Sequence, residues 1–373
     1  MNNQPIRVAH IMGKMVSGGV ESVVMNYYRN INKGKVQFDF IVDEDSTYIP
    51  TNEIESMGGR VIIVPPYQKI HSYIKRLKEI FIKNEYKIVH SHLNTLSIFP
   101  LYAAKISNVP LRIAHSHSTS NKKEWKKNML KNILKPFSKL NATHYFCCSE
   151  LAGRWLFGDK AYNDGKVKLI NNAINVDKFI YDENIRREIR KELKVEDKFV
   201  IGHIGRFVFS KNHDFLIEIF KEVNKINKNI CLLLIGEGEI KDNIIKKVND
   251  VGISDKIKFL GIRDDVNDLM QAMDVFVLPS RYEGLGMVTI ESQAAGLKTI
   301  VSDKIPKEAK VTELLEYLRL EQGANEWANK ILEYQDGYHR EKNWKDIKES
   351  GYEIKEEAKK LEKFYKEAFN KYK

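Results

Sequence analysis

Short runs that are apolar at nearly every position alternate along this chain with stretches that are apolar every third or fourth residue. In the first half the unbroken runs fall at 6–12, 38–42, 60–64, 87–91, 111–115, 143–148 and 167–171. Amphipathic stretches at 20–30, 73–84 and 97–107 lie between them. Strands apolar on both faces, alternating with helices, predict a parallel sheet covered on both sides. The second half repeats the scheme at 199–204, 230–235, 257–260, 275–278 and 299–302, without any repeat at the level of residues. Between the halves, 171–190 turns polar and charged, which marks a linker near 176. From 306 onward the pattern reads as helical almost to the end, with 352–372 as one long charged helix. The expectation is an α/β protein of two Rossmann-like, doubly wound domains facing a central cleft. Their bounds are 1–175 with a returning helix at 353–373, and 176–352. Ligands of such folds bind at the carboxyl ends of the strands.

The strongest local signal is the string RYEGLGMVTIESQAAG at 281–296. It follows a strand and the stop Pro279-Ser280, then opens a helix. Glu283 lies in the turn. Gly284 and Gly286, on either side of Leu285, let backbone amides approach a ligand at a helix N-terminus, which suits a phosphate or a polyhydroxyl group. Glu291 falls eight residues after Glu283, on the helix, where a carboxylate can accept bonds from paired hydroxyls.

This string resembles the E-x7-E signature of the family 4 retaining glycosyltransferases, which have the GT-B fold. Other segments resemble the same family in the same order: Ser17-Gly18-Gly19-Val20-Glu21 after the first strand, Asn172 to Asp177 with Phe179 between the domains, and Gly205-Arg206 with Lys211 at the start of the second. Gly236-Glu237-Gly238 and Phe259-Leu260-Gly261 match two further loops. The resemblance implies a nucleotide-sugar donor whose diphosphate is held by Arg206 and Lys211, with no metal and no other cofactor. It further implies that Glu283 binds a sugar hydroxyl and Glu291 the donor ribose. Loop atoms from Leu260 to Ile262 would meet the base, and Gly18, Gly19, Gly236, Gly284, Leu285 and Gly286 would complete the donor site. Where the family has glycine and aspartate between the domains, this chain has Ala173 and Asn175. A Gly-Gly-to-Glu segment that many members carry after the final strand is replaced by 304–310, KIPKEAK.

Histidines form a second group of candidates. His90 and His92 end one first-domain strand, and His115 and His117 end another. A period of two places the members of each pair on one face. Without neighbouring Cys, Asp or Glu, a catalytic zinc site is not expected. The family sets one histidine beside the transferred sugar, where His117 fits best and His115 next.

Charge adds one more feature. Residues 1–175 carry 25 Lys and Arg against 13 Asp and Glu, or +12, while the remainder stands at −1. Seven lysines lie in 121–140, among them Lys122, Lys123, Lys126 and Lys127, with Trp125, Met129, Ile133 and Phe137 every four residues. That pattern suits either an interfacial helix on anionic lipid or a helix packed on the sheet. No run nears the ~18 apolar residues of a membrane span, and the first residues do not read as a signal peptide. Three cysteines supply no disulfide framework.

The expected activity is transfer of a hexose or N-acetylhexosamine from a UDP-linked donor to a glycan or polyprenyl-diphosphate-linked acceptor, in cell-surface polysaccharide synthesis. The expected place is the cytoplasm, against the inner face of the membrane. An NAD(P) enzyme is disfavoured because no G-x-G-x-x-G follows the first strand. A nucleic-acid or membrane-binding protein that uses the basic half without transferase activity leaves the Glu283–Glu291 pair unexplained.

Overall fold

Every residue of the run 36–43 is buried, and a strand with no exposed face must lie within a covered sheet. The computed structural model describes residues 4–16, 18–117 and 133–372. The chain divides into two units, Met1–Ala173 with Glu353–Lys373, and Ile174–Tyr352.

In the first unit, seven strands form one parallel sheet in the order β3-β2-β1-β4-β5-β6-β7. They are β1 (Ile6–Gly13), β2 (Val36–Asp43), β3 (Arg60–Val64), β4 (Ile88–Ser91), β5 (Leu111–Ser116), β6 (His144–Cys147) and β7 (Val167–Leu169). One face packs Phe38, Phe40, Ile113 and Phe146 against the first helix, Gly19–Asn30, and the final helix, Ile354–Asn370. The other packs Ile41, Val89 and Ala114 against Tyr73, Leu77 and Phe81 of the helix Ile70–Lys83 and Leu101 of Ile98–Ile106. The final helix is charged on most of its surface but buries Ile354, Ala358, Leu361, Tyr365 and Ala368, a stripe of alternating four- and three-residue steps. Glu353 caps it by accepting from the Glu356 amide at 2.9 Å.

The second unit has a six-stranded parallel sheet in the order β10-β9-β8-β11-β12-β13. Its strands are β8 (Phe199–Ile204), β9 (Ile230–Ile235), β10 (Ile257–Gly261), β11 (Val275–Leu278), β12 (Lys298–Ser302) and β13 (Leu315–Leu318). β13 corrects the helical expectation beyond 306. Its spacing of leucines reads as one helix face, but Leu315 is fully buried and the segment pairs in register with β12, so main-chain bonding at the sheet edge overrides the local pattern. The polar stretch taken as linker holds a helix, Glu183–Glu192, whose first amides are capped by Asp182.

Arg340 holds two helix ends in this unit. Its guanidinium donates to the carbonyls of Met270, Gln271 and Met273 at the end of the helix Val266–Ala272, and to that of Ala295 just after Met287–Ala294. Burial lowers its pKa to about 10, which leaves it charged at neutral pH. Trp327, on the helix Gly323–Leu332, is the largest fully buried side chain. It lies edge-on to Phe215 and donates from Nε1 to the Arg319 carbonyl at 3.1 Å. Trp327→Ala is expected to cost about 3–5 kcal/mol of stability, read from urea unfolding. A loss under about 1 kcal/mol would contradict this packing.

Candidate active site

In each sheet the strand order reverses beside the first strand, at β8/β11 and at β1/β4, and the loops that leave there diverge to form a crevice. The sequence candidates lie at these ends.

In the second unit, three loops are tied edge to edge. Gly205 donates from its amide to Ile235, Phe207 to Glu237, and Gly236 to Gly261, at 2.7–2.9 Å. Gly236 must be glycine: its φ is 136°, and a Cβ would sit 2.2 Å from the Gly205 carbonyl oxygen. After this strap the chain turns through Phe209–Lys211 into the helix His213–Ile226. The stem of Lys211 lies over Gly205, and its Nζ reaches Glu283 Oε1 at 2.6 Å. Both side chains are largely shielded, at 16% and 13% exposure, so this pair is stronger than a surface ion pair. Ser280 Oγ donates to the same Glu283 oxygen at 2.8 Å, and Ser302 Oγ donates to the Ser280 carbonyl. The lysine loop is zipped to the glutamate loop by Arg281 N to Ser210 O and Asn212 Nδ2 to Pro279 O. The exposed Arg206 guanidinium has no partner among the described residues.

Gly284, buried Leu285 and Gly286 follow Glu283, and Gly286, at φ 78°, begins the helix Met287–Ala294 that carries Glu291. Leu260 is half-buried at the end of β10, and Ile262 beyond it is exposed.

In the first unit, Gly18 precedes the first helix, which Gly19 begins, and the Glu21 carboxylate accepts from the Val16 amide. His90, His92, His115 and His117 are buried on one face of the sheet, joined there by His10 of β1. They touch one another: His10 Nδ1 to His92 Nε2 at 2.9 Å, His92 Nδ1 to His117 Nε2 at 2.8 Å, and His90 Nε2 to His115 Nδ1 at 3.0 Å. Burial lowers His10 and His117 to about 3 and the other three well below their ordinary value, so all five are neutral. Two sets, His10/His90/His92 and His92/His115/His117, bring one nitrogen each within 4.8 Å of one another. The contacts at 2.8–3.0 Å are hydrogen-bond separations, and no carboxylate lines the small cavity beside them to offset a divalent ion.

Two family models match this chain. "Glycosyl transferases group 1" covers residues 184–370 and "Glycosyltransferase Family 4" covers 17–178. EpsF of Bacillus subtilis, named as a glycosyltransferase, is 33% identical over 338 residues, or 89% of this chain and 88% of that one. The chain belongs to glycosyltransferase family 4. A UDP-Gal:alpha-D-GlcNAc-diphosphoundecaprenol alpha-1,3-galactosyltransferase of Escherichia coli is 25% identical over 316 residues, 80% of this chain and 79% of that one. The crystal structure of Anabaena HepE in complex with UDP-glucose superposes with a TM-score of 0.71 at 16% identity, over 95% of this chain and 94% of that one. That likeness establishes the GT-B fold of this glycosyltransferase.

The structure brings Lys211, Glu283, Gly205 and Gly236 of the glycosyltransferase together in the second unit, and His115 and His117 in the first. Sequence reasoning missed His10, Ser280 and Tyr365. His10 is a single histidine in an apolar run, Ser280 looked like a strand stop, and Tyr365 lies 275 positions from the His90 it touches. The basic segment with Lys122, Lys123, Lys126 and Lys127 lies outside the described residues. No helix among the described residues is long and apolar enough to cross a membrane.

Glu291 keeps part of its surface open, yet the protein crowded around its carboxyl pushes it up to about 7, with Lys211 opposing. Because the folded form holds this proton more tightly than the unfolded one, its stabilising effect is full below the ordinary carboxyl value and is lost as pH rises through about 7. Glu291→Gln is therefore expected to melt higher than the wild type near pH 8 and no higher near pH 4. Equal melting temperatures at both would contradict a crowded carboxyl.

Proposed function

We propose that this glycosyltransferase moves a hexose or N-acetylhexosamine from a UDP-linked donor, with retention and without a metal, to a glycan or polyprenyl-diphosphate-linked acceptor in cell-surface polysaccharide synthesis. The observation that carries the reading is the shielded Lys211–Glu283 pair, with Arg206, exposed and without a partner among the described residues, just after the same strand β8. Two fixed cations at the end of β8 suit a diphosphate, and they would offset the charge that grows on it as the sugar leaves. Lys211 would exchange a carboxylate for phosphate oxygens, which frees Glu283 to accept from a sugar hydroxyl. Glu291 would take the ribose hydroxyls, the loop from Leu260 to Ile262 the base, and the turn from Gly284 to Gly286 would offer backbone amides. His117 would lie by the transferred sugar. Support for the donor and acceptor classes comes from HepE, solved with UDP-glucose, and from the Escherichia coli relative, whose name gives a UDP-sugar and a diphosphoundecaprenol-linked acceptor.

Arg206→Ala, Lys211→Ala and Glu283→Ala are each expected to slow transfer at least ~100-fold. Wild-type rates in all three would sink the donor site. UDP alone should raise the melting temperature, whereas NAD and an oligonucleotide should not. Transfer should survive EDTA, and the product should show the donor's anomeric configuration by NMR. Loss of activity restored by Mg²⁺ or Mn²⁺ would remove the metal-free part of the reading.

The basic segment is proposed to meet anionic lipid. Beside it Ile133, Phe137 and Leu140 are all exposed, as an interfacial element requires. The protein should sediment with liposomes containing anionic lipid at low salt and be released at high salt. Changing Lys122, Lys123, Lys126 and Lys127 to Gln should weaken sedimentation while UDP still stabilises the protein. A wild type that ignores such liposomes would refute the contact.

A further inference from the structure

The five buried histidines of the first unit form two rows across the sheet. One runs His10–His92–His117, each step one strand over and two residues along; the other runs Tyr365–His90–His115. His10 and His90 are paired in register on β1 and β4, so both rows follow from a period of two on adjacent parallel strands. Exposure rises along the first row, from 1% at His10 to 5% at His92 and 8% at His117, so the row leads from the core toward the rim. His10 Nε2, at the inner end, and His117 Nδ1, at the outer end, are both buried and have no partner among the described residues.

We propose that this row locks His117 in the tautomer with its proton on Nδ1, making that nitrogen a donor to an oxygen of the transferred sugar, and that His10 and His92 are positioning residues acting through it. The proposal rests on the placement of His117 beside the donor sugar given above.

A neutral imidazole has one N–H and one lone pair. His92 uses both nitrogens within the row, so the protons must all point one way. Either each ring carries its proton on Nδ1 and His117 ends as a donor, or each carries it on Nε2 and His10 ends as a donor. Either choice leaves one buried N–H without a partner among the described residues; the second leaves it at the inner end, beside Phe38 and a cavity of about 10 Å³ whose other walls include Val23, Val24 and Leu361. Orphaned buried donors are rare in native structures. The first choice puts the N–H on His117, the ring of the row nearest the rim, where a sugar seated against the ring would satisfy the otherwise orphaned donor. Each bond then polarises the next and strengthens the last N–H.

The second row is set from its other end. The Tyr365 hydroxyl lies 2.7 Å from His90 Nδ1 and has one proton to give. If it donates, His90 carries its proton on Nε2 and gives it to His115 Nδ1, which leaves the His115 proton on Nε2, also a buried nitrogen without a partner among the described residues. The two rows thus hold opposite tautomers side by side, with the His115 and His117 ring centroids 3.9 Å apart.

Nitrogen-15 NMR of the full chain labelled at histidine tests this at neutral pH. Nδ1–H is expected for His10, His92 and His117, and Nε2–H for His90 and His115. An Nε2–H tautomer or an imidazolium at His117 would overturn the lock. So would a pattern that forms only after one equivalent of Zn²⁺ is added, which would make the cluster a metal site. His92→Phe keeps the bulk and cuts the row, and transfer should fall ~10-fold, about the effect of one lost hydrogen bond. His92→Gln, which can both accept and donate, should recover most of the rate. Equal losses in the two variants would overturn the positioning role. If His117→Ala transfers sugar at the wild-type rate while the tautomer pattern holds, the sugar-facing placement of His117 fails and the lock stands.

Discussion

The reversal of strand order beside the first strand of each sheet is the constraint on which the rest depends. In a parallel sheet every strand ends on the same edge, so residues just past the ends gather there however far apart they lie in sequence. Lys211 follows β8 and Glu283 follows β11, and those strands are neighbours, so residues 72 positions apart meet in an ion pair. The same rule puts His92 after β4 beside His117 after β5, and lets His10 of β1 join them.

The two sets of candidates solve the burial of polar groups in opposite ways. In the second unit the cost of burying Lys211 and Glu283 is offset by their pairing and by the Ser280 hydroxyl, which donates to the same carboxylate oxygen. In the first unit the imidazoles give up their charge and pair as neutral donors and acceptors, which costs little in a dry interior if each bond is made.

Most of the fold was legible because runs such as 230–235, apolar throughout, leave no alternative to a covered strand. β13 was not, since a strand on an edge shares one side with solvent and its leucines keep a spacing that also fits a helix. Glu283, Lys211 and Arg206 were visible as polar or charged residues placed just after apolar runs. His10 and Tyr365 were invisible for the converse reason: each sits inside a hydrophobic pattern that it fits, and only the folded sheet shows that their polar atoms meet other polar atoms.

Arg340 illustrates how a buried cation can be held by main-chain carbonyls. Its guanidinium is met by four main-chain carbonyls, from Met270, Gln271, Met273 and Ala295, at the negative ends of two helices. Main-chain carbonyls are supplied by every residue type. The clamp therefore places no chemical demand on the identities of those four side chains, which are free to drift as long as the two helices end where they do. Arginine itself has no such freedom, because only a planar fork with five donors can span both helix ends. The dependence is lopsided: one position is fixed while its partners evolve, so covariation would never reveal the contact.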